Sequence, residues 1–350
     1  MFMSVVKLIK KGFFFIKYKI RFYMPEYYWQ YLAQKISKYR NSKYIEQRKS
    51  FGNLNPTKNF FIIRRRPPGW GFFSNYFYVL KGVMHAEQNN LVPVVDMENY
   101  WIGELSSLKK INGTHNAWSY FFNQTSEFTL SEVYESKNVI VSNGFRILEQ
   151  SHWINDKNLN FILQPDKLLI LNKIIDKYVT FNEPTRENIK LVKRKIQWDP
   201  ENTFGLFIRG TSYFEYQKSL TSDVHDFINA CKQILNNNLL KKIYISTEDF
   251  LLYKKLVENF ADYEVIPSIR HDITKSTEDW VKDQKLTFDG GIQMGYEKTL
   301  RYLIEACLMA ECSSFIGTPS NASSYIMARR QTGFGESFVF SKGEKIQISK

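Results

Sequence analysis

Short apolar runs alternate with longer stretches of mixed apolar and polar residues through most of the chain. Between residues 59 and 97, "NFFIIRRR" predicts a strand, "PPGWGFFSNYF" a turn, "FYVLKGVMHAEQNN" a helix and "LVPVVDM" a second strand. This order is a βαβ unit, whose crossover favours a parallel sheet with functional loops at the carboxyl ends of the strands.

The same alternation is clearer after residue 203. Four apolar runs predict strands: "TFGLFIR", "KKIYIST", "YEVIPS" and "SSFIGT". The intervening amphipathic stretches predict helices: "SDVHDFINACKQILNNN", "EDFLLYKKLVENF", "KTLRYLIEACLMAEC" and "PSNASSYIMARR". Residues 100–200 are less regular, with a strand in "KNVIVSN" and helices in "LQPDKLLILNKIIDKYVTF" and "TRENIKLVKRKIQW". We therefore expect an α/β chain with two doubly wound domains facing a cleft, at residues 53–198 and 199–350.

Residues 1–52 differ from the rest in composition. The first 50 residues hold nine Lys and three Arg against only Glu26 and Glu46, a net charge of +10 out of the +13 of the whole chain. Lysines alternate there with Phe, Ile, Tyr and Trp, and no apolar run reaches the roughly 18 residues that span a bilayer. This pattern favours a segment that lies on an anionic membrane surface. Alternatively, its aromatic residues pack on the protein itself and its lysines face solvent.

The charge does not predict a nucleic-acid partner, because no recognised binding module accompanies it. The three cysteines, Cys231, Cys307 and Cys312, fit neither a disulfide framework nor a zinc site. We therefore expect a reducing compartment: the cytoplasm, with the protein peripheral on the inner face of the cell membrane.

Two predicted loops carry residues suited to a ligand. Gly69 to Asn75 follow a strand, and their glycines permit close backbone approach, although Pro-Pro-Gly is also ordinary turn chemistry. Arg209 ends a strand, where open α/β sheets bind ligands, and its planar guanidinium can hold a phosphate with two parallel hydrogen bonds. The alternative for Arg209 is a structural ion pair.

A third loop, "FIGTPSNASS", runs from a strand into a helix. The hydroxyls of Thr318, Ser320 and Ser323 lie near the free N–H groups of a helix start, which is an anion-binding arrangement, although serine is also a standard N-cap. Two phosphate-compatible loops on neighbouring strand ends indicate a diphosphate, and hence a nucleotide or a nucleotide sugar.

Four segments carry a family resemblance: "GWGFFSNYFYVLKGVMHAEQNNLVPVVDM", "GLFIRGTSY", "KKIYISTEDF" and "YEKTLRYLIEACLMAECSSFIGTPSNASS". In this order and spacing the chain resembles the fucosyltransferase superfamily of α-1,6-, α-1,2-, protein O- and bacterial nodulation fucosyltransferases, and in particular a bacterial surface-polysaccharide member. The resemblance covers about residues 58–330. It implies a GT-B fold of two Rossmann-like domains and an inverting transfer from GDP-fucose without a metal or cofactor.

The resemblance also implies roles for residues. Arg209 matches the family arginine at the donor β-phosphate, so we place the donor site at Arg209, Gly210, Thr211, Glu248, Asp249, Thr318, Ser320, Asn321 and Ser323. The acceptor side is placed at Gly69, Trp70, Gly71, Ser74 and Asn75. Phe207 and Ser212 stand where the family often has His and Asp, which leaves the phosphate role intact and the donor sugar open.

The expected reaction is an in-line displacement at the anomeric carbon, with Arg209 and the helix start at Thr318 stabilising the departing diphosphate. A carboxylate is needed for the acceptor proton, and the candidates are Glu215, Asp96, Asp223 and Glu87. His85 and His225 fall on predicted helices, where a structural role is more common. Of the aromatic residues Trp70, Phe72, Phe73 and Trp118, Trp70 is the best candidate for stacking on a sugar.

The sequence thus predicts a glycosyltransferase that moves a sugar, with fucose the first choice, to a hydroxyl of a bacterial surface glycan or lipid-linked oligosaccharide. One alternative keeps the fold with another nucleotide-activated sugar. A second is a non-catalytic module that binds a glycan or nucleotide.

Overall fold

The computed structural model describes residues 46–65, 71–98, 110–142, 160–209, 224–271, 292–330, 335–341 and 343–349. The chain divides into two compact units, Met1–Gln47 and Arg48–Lys350. Only the last two residues of the first unit are described, so the fold is that of the second. The predicted boundaries at residues 52 and 198 stay predictions.

The first sheet has four strands in the order β1-β4-β2-β3. They are β1 (Gln47–Lys49), β2 (Phe60–Arg64), β3 (Val92–Asp96) and β4 (Val139–Val141). β2 runs parallel to both β3 and β4, and all five of its residues are buried. Its continuous apolar sequence fits this place, because a strand of a parallel sheet is covered on both faces.

The first helix, α1 (Phe72–Gln88), begins at Phe72, whereas the sequence analysis starts it at Phe77. Its first turns are helical because Phe73, Tyr76, Phe77 and Leu80 have the i, i+3, i+4, i+7 spacing and are all buried. The predicted glycine loop is therefore in part the first turn of this helix.

The second sheet has six strands in the order β10-β9-β8-β5-β6-β7. They are β5 (Thr203–Phe207), β6 (Lys242–Ser246), β7 (Glu264–Ile266), β8 (Ser314–Gly317), β9 (Ser337–Ser341) and β10 (Glu344–Ser349). All neighbouring pairs are parallel except β9 and β10. The four predicted strands are present, and the antiparallel β9–β10 hairpin was not predicted.

The other α-helices of the described ranges are α2 (Leu130–Val133), α3 (Pro165–Tyr178), α4 (Glu183–Lys195), α5 (Val224–Asn238), α6 (Phe250–Asn259), α7 (Ile292–Glu311) and α8 (Asn321–Arg330). α5 and α6 share a core with Phe204 and Leu206 on one face of the second sheet. Residues of α7 and α8 share a second core with Phe207 on the other face, and this core also contains residues of α1 and α3. The predicted α/β class, with two largely parallel sheets and helices on both faces of the second, is confirmed.

The strand order of the second sheet indicates where a ligand crevice is expected. β5 comes first along the chain, β6 and β7 follow on one side, and β8 and β9 are added on the other. The order reverses at β5, and open α/β sheets bind ligands outside the carboxyl ends of the strands at such a point. Among the described residues, no helix is long and apolar enough to cross a membrane.

Candidate functional site

Arg209 and Thr318 meet at the carboxyl ends of β5 and β8. The N–H of Arg209 donates to Thr318 Oγ1 at 3.1 Å, and the N–H of Thr318 donates to the carbonyl of Phe207 at 3.1 Å. The second bond extends the pairing of the two strands by one step, and the first lets the Thr318 hydroxyl hold the backbone of Arg209. The predicted arginine and the predicted hydroxyl loop are therefore neighbours at the point where the strand order reverses.

The start of α8 is held together by its own hydroxyls. Ser320 Oγ accepts the N–H of Ser323 at 3.0 Å and lies 2.6 Å from Ser323 Oγ, which donates to the carbonyl of Thr318. Both serines are buried, so their side chains shape the loop as an N-cap does. Thr318 and Asn321 are half-buried beside them. The anion-binding capacity at this place lies in the N–H groups of Asn321 and Ala322, the first two of α8, because Ser320 accepts those of Ser323 and Ser324.

Glu248 and Asp249 follow β6, the strand that neighbours β5, and their side chains have different contacts. A carboxylate oxygen of Glu248 lies 3.8 Å from Arg209 Nε, and each of the two side chains is 38% exposed. Asp249 is the N-cap of α6, and its Oδ1 accepts the N–H groups of Leu251 and Leu252 at 2.9 and 3.0 Å. Glu248 is thus placed beside Arg209, whereas Asp249 has a structural task.

A second arginine, Arg270, follows β7 and was missed in the sequence analysis. Its Nη1 lies 3.3 Å from an oxygen of Glu305, and its Cζ lies 4.7 Å from the centre of the Tyr302 ring. The pKa of Tyr302 is raised to about 12 by burial, against the charges of Arg270 and Arg209, which lower it. The signal that could have found Arg270 is the one used for Arg209, an arginine just after an apolar strand.

Glu305 of α7 contacts the residues that end β6 and follow β7. Its carboxylate is buried and accepts the hydroxyl of Ser246 at 2.7 Å and that of Ser268 at 3.0 Å, besides its contact with Arg270. Burial raises the pKa of Glu305, and Arg270 opposes that shift. Glu305 therefore links the ends of β6 and β7 and fixes the arginine between them.

The start of α1 reaches the same region. The Phe73 ring lies 5.0 Å from that of Tyr302 and 5.0 Å from that of Tyr325 on α8. Arg270 also packs on the Tyr302 ring. The first turn of α1, with Gly71, Ser74 and the buried Asn75, therefore lies near the edge of the second sheet that holds Arg209 and Arg270. The part of the predicted acceptor side that is described is thus brought towards the predicted donor side.

The candidate bases have different surroundings. Asp96 ends β3 and is fully buried, with Tyr134 donating its hydroxyl at 2.5 Å and the N–H of Glu98 donating at 3.0 Å. Glu87 is at the far end of α1, paired with Lys177 at 2.5 Å on the surface. It lies 15 residues after Phe72, about 22 Å along the helix at 1.5 Å per residue. The structure thus separates Glu87 from the start of α1.

His85 and Trp118 have structural surroundings, whereas His225 is exposed. His85, near the same end of α1, packs on Phe61 at 4.9 Å between ring centres, and burial lowers its pKa. His225 is exposed on α5. Trp118 is buried and donates from Nε1 to the carbonyl of Asn123 at 2.8 Å, which makes it a core residue.

Several predicted residues lie outside the described ranges: Gly69, Trp70, Gly210, Thr211, Ser212, Glu215 and Asp223. Phe207 is described, and its buried side chain belongs to the apolar core. Where the resembling family often has a histidine, this chain therefore supplies no polar group. Within the described ranges, no group of three or more His, Cys, Asp or Glu is arranged to hold a metal ion.

No protein-family model matches the chain, and no curated protein matches it. Solved structures do. The NodZ α-1,6-fucosyltransferase soaked with GDP-fucose is 15% identical, with a TM-score of 0.47 over 84% of this chain and 100% of its own. POFUT1 in complex with GDP is 10% identical, with a TM-score of 0.45 over 81% of this chain and 99% of its own. FUT1 of Arabidopsis thaliana in complex with GDP is 9% identical, with a TM-score of 0.43 over 82% of this chain and 72% of its own. These solved structures, to which the chain is similar, are structures of fucosyltransferases.

Proposed function

We propose that the chain is a glycosyltransferase that binds a nucleoside diphosphate sugar at the carboxyl edge of the second sheet. The observation that carries the proposal is the meeting of Arg209 with Thr318 beside the start of α8, at the strand where the sheet order reverses. A guanidinium that binds a phosphate with two hydrogen bonds, beside a helix start that favours negative charge, suits two linked phosphates.

The charges at this edge support a diphosphate over a neutral ligand. The charges of Arg209 and Arg270 both lower the pKa of Tyr302. The pKa of Lys298 is lowered mainly by desolvation and further by the charge of Arg270. The buried Glu305 balances Arg270. The contact of Arg209 with Glu248 is long and partly exposed, so it is weak, and a phosphate competes well for the same guanidinium.

The proposed reaction is a displacement at the anomeric carbon. The acceptor hydroxyl oxygen forms a bond to that carbon, the bond from the carbon to the diphosphate breaks, and the nucleoside diphosphate leaves with the electron pair. Arg209 and the first N–H groups of α8 stabilise the charge that develops on the leaving group. The acceptor proton passes to a carboxylate, for which Asp96 and Glu215 are the proposed candidates. The proposal includes inversion at the anomeric carbon and no metal.

The donor proposed first is GDP-fucose, and the acceptor is a hydroxyl of a bacterial surface glycan or a lipid-linked oligosaccharide. Both choices come from the resemblance of the four sequence segments, and the buried Phe207 leaves the sugar open. The second candidate therefore keeps the reaction and changes the nucleotide-activated sugar.

The experiment is a thermal-shift screen of the purified chain with GDP, UDP, CMP, ADP and their sugars, in buffer with EDTA. A ligand that binds only the native state raises the midpoint of unfolding by mass action. We expect GDP and GDP-fucose to stabilise the intact chain and to lose this effect in Arg209→Ala. Arg186→Ala is the matched control, because Arg186 lies on the surface of α4 in a pair with Glu183.

Stabilisation by another nucleotide alone would move the donor and keep the site. Stabilisation that needs an added divalent metal would contradict the metal-free part of the proposal. Silence with every nucleotide, or equal stabilisation of both arginine variants, would overturn the proposed donor site. Binding of GDP-fucose without release of GDP in the presence of any glycan acceptor would favour the non-catalytic module.

A further inference from the structure

The first sheet repeats the sequence feature that marks the donor site. β2 ends in Arg64 and is followed directly by Arg65, and Arg209 likewise comes two residues after the end of β5. β2 is also the strand at which its sheet reverses order, since β3 is its neighbour on one side and β4 on the other. The rule that points to a ligand beyond β5 therefore points equally to the carboxyl end of β2.

The two arginines at this end have different tasks. Arg64 donates from Nε to the carbonyl of Ser142 at 2.5 Å, and its N–H donates to Ser142 Oγ at 3.1 Å. It ties the end of β2 to the residue that follows β4. Arg64 is thus explained by the architecture of the sheet.

Arg65 is not explained in that way. It is only 9% exposed, and its Nε is buried without a hydrogen-bond partner. Its Cζ lies 4.5 Å from the centre of the Tyr78 ring, and burial lowers the pKa of its guanidinium. None of the ion pairs between described residues includes Arg65. A buried donor of this kind lowers stability unless a ligand satisfies it.

A second cation stands beside it. Lys81 follows Tyr78 by one turn of α1 and is 7% exposed. Its pKa is lowered to about 7, first by burial and then by the charge of Arg65. The charge of Arg65 thus disfavours a positive charge on Lys81, and an oxyanion at Arg65 would favour the charged form of both side chains.

The place also fits the proposed reaction. α1 leads away from the carboxyl end of β2, and its first turn packs on Tyr302, whose ring carries Arg270 of the donor edge. A group bound at Arg65 therefore lies beside α1, whose first turn belongs to the acceptor side expected from the sequence.

We propose that Arg65, with Lys81 beside it, forms a second oxyanion-binding site, separate from the donor site, which takes a phosphate or carboxylate of the acceptor. The assignment to the acceptor rests on the proposed function, whereas the site itself does not. A phosphate would come from a lipid-linked acceptor, and a carboxylate from an acidic sugar.

The test uses the full chain with saturating GDP, which occupies the donor site, at constant ionic strength. Phenyl phosphate and glucuronate are added separately as probes of the two sources, and the midpoint of thermal unfolding is measured. The variants are Arg65→Met and Arg65→Lys, with Arg186→Met as the control for loss of one positive charge. We expect one of the two probes to raise the midpoint of the intact chain and of the control by several degrees.

In Arg65→Met this rise is lost, while the stabilisation by GDP is unchanged. Without any anion, the midpoint of Arg65→Met is equal to or higher than that of the intact chain, because an unsatisfied buried group is gone. Arg65→Lys keeps the positive charge, and we expect the probe to raise its midpoint of unfolding by a smaller amount. This variant tests the site if Arg65→Met does not fold.

Equal stabilisation of Arg65→Met and the intact chain by the probes would overturn the site. So would the absence of any effect of either probe, or a large loss of stability in Arg65→Met without anion, since Arg65 would then be structural. Loss of the GDP effect in Arg65→Met would make Arg65 part of the donor site. If GDP has no effect but the probes still act through Arg65, the proposed function fails and the oxyanion site stands.

Discussion

At the residue scale, Arg330 shows what a structural arginine looks like in this fold. It is 1% exposed, and it donates to Ser337 Oγ at 2.7 Å, to the carbonyl of Cys312 at 2.5 Å and to that of Glu336 at 3.0 Å. These acceptors lie at the end of α7 and at β9, so one guanidinium ties three elements together. Arg65 has a similar burial and lacks such bonds at Nε.

We expect Arg330→Met to lower the free energy of unfolding by about 3 kcal/mol, because several buried carbonyls lose their donor. The adjacent Arg329, a partly exposed partner of Asp176 at 2.6 Å, is the matched control. Arg329→Gln is expected to lose less than about 1 kcal/mol. Urea unfolding of both variants measures the difference, and losses of equal size would show that the buried bonds of Arg330 contribute little.

His271 gives the fold a dependence on pH. It is 7% exposed, with Nε2 2.7 Å from the carbonyl of Thr247, and burial lowers its pKa from 6.5 to about 4. The folded state therefore favours the neutral ring. Its contribution to stability is complete above pH 6.5 and is lost as the pH falls from 6.5 towards 4.

The two pKa values correspond to a loss of about 3 kcal/mol over that range. We expect His271→Gln, which can still donate to Thr247, to flatten the pH dependence of stability between pH 6.5 and 4. Urea unfolding at pH 7.5, 6 and 4.5 tests this. The same slope in the variant and the intact chain would assign the acid sensitivity to other groups.

At the element scale, helix α6 separates two explanations of Asp249. The resemblance implies donor binding, whereas its carboxylate caps the helix through the N–H groups of Leu251 and Leu252. We expect Asp249→Ala to lower stability by about 1 kcal/mol and Asp249→Asn to be nearly neutral, since asparagine is an equally good N-cap.

GDP binding by the two Asp249 variants decides between these roles. Capping alone predicts GDP affinities equal to that of the intact chain once folding is complete. A loss of affinity in Asp249→Asn, whose helix is still capped, would give the negative charge a direct part in donor binding. Glu248→Gln serves as the comparison, because Glu248 faces Arg209.

The elements that could be predicted from the sequence are those with strong local signals. β2, β5 and β8 are short apolar runs bounded by polar or turn residues, so their presence follows from the sequence, although each strand ends one or two residues before its predicted end. The start of α1 was placed late because "FFSN" resembles a turn, although its aromatic residues have helical spacing. The sequence does not show the β9–β10 hairpin, because β9 depends on its pairing with β8 and β10 on its pairing with β9, and no local pattern shows either pairing.

At the scale of the whole molecule, prediction of the site depends on whether each residue has a local signal of its own, and separation along the chain does not decide it. That Arg209 and Thr318 are neighbours follows from the sequence, because each comes after its own strand and the parallel sheet brings the two strand ends together. Arg270 and Glu305 are 35 residues apart in sequence, and their contact joins the segment after a strand to the middle of a helix. Neither sequence alone nor periodicity predicts such a pair, because it requires the packing of α7 under β6 and β7.

The basic segment at residues 1–50 predicts that the protein attaches to an anionic membrane surface. With a net charge of +10 and interleaved aromatic residues, we expect the intact chain to float with vesicles of phosphatidylcholine and phosphatidylglycerol. The effect should be weak on phosphatidylcholine alone. Each lysine near an anionic surface contributes about 1 kcal/mol, so replacing Lys7, Lys10 and Lys11 by Gln should weaken binding by about 100-fold.

Removal of residues 1–45 is expected to abolish flotation and to leave GDP binding unchanged, because Arg48–Lys350 forms a compact unit of its own. Salt distinguishes the two contributions to binding. Raising the ionic strength to about 1 M shortens the screening length to about 3 Å and should release a segment held by charge, whereas buried aromatic residues resist it. Equal flotation of the truncated and intact chains would place the membrane contact elsewhere in the molecule. No flotation of either chain would leave the basic segment to the other role considered for it, packing on the protein itself.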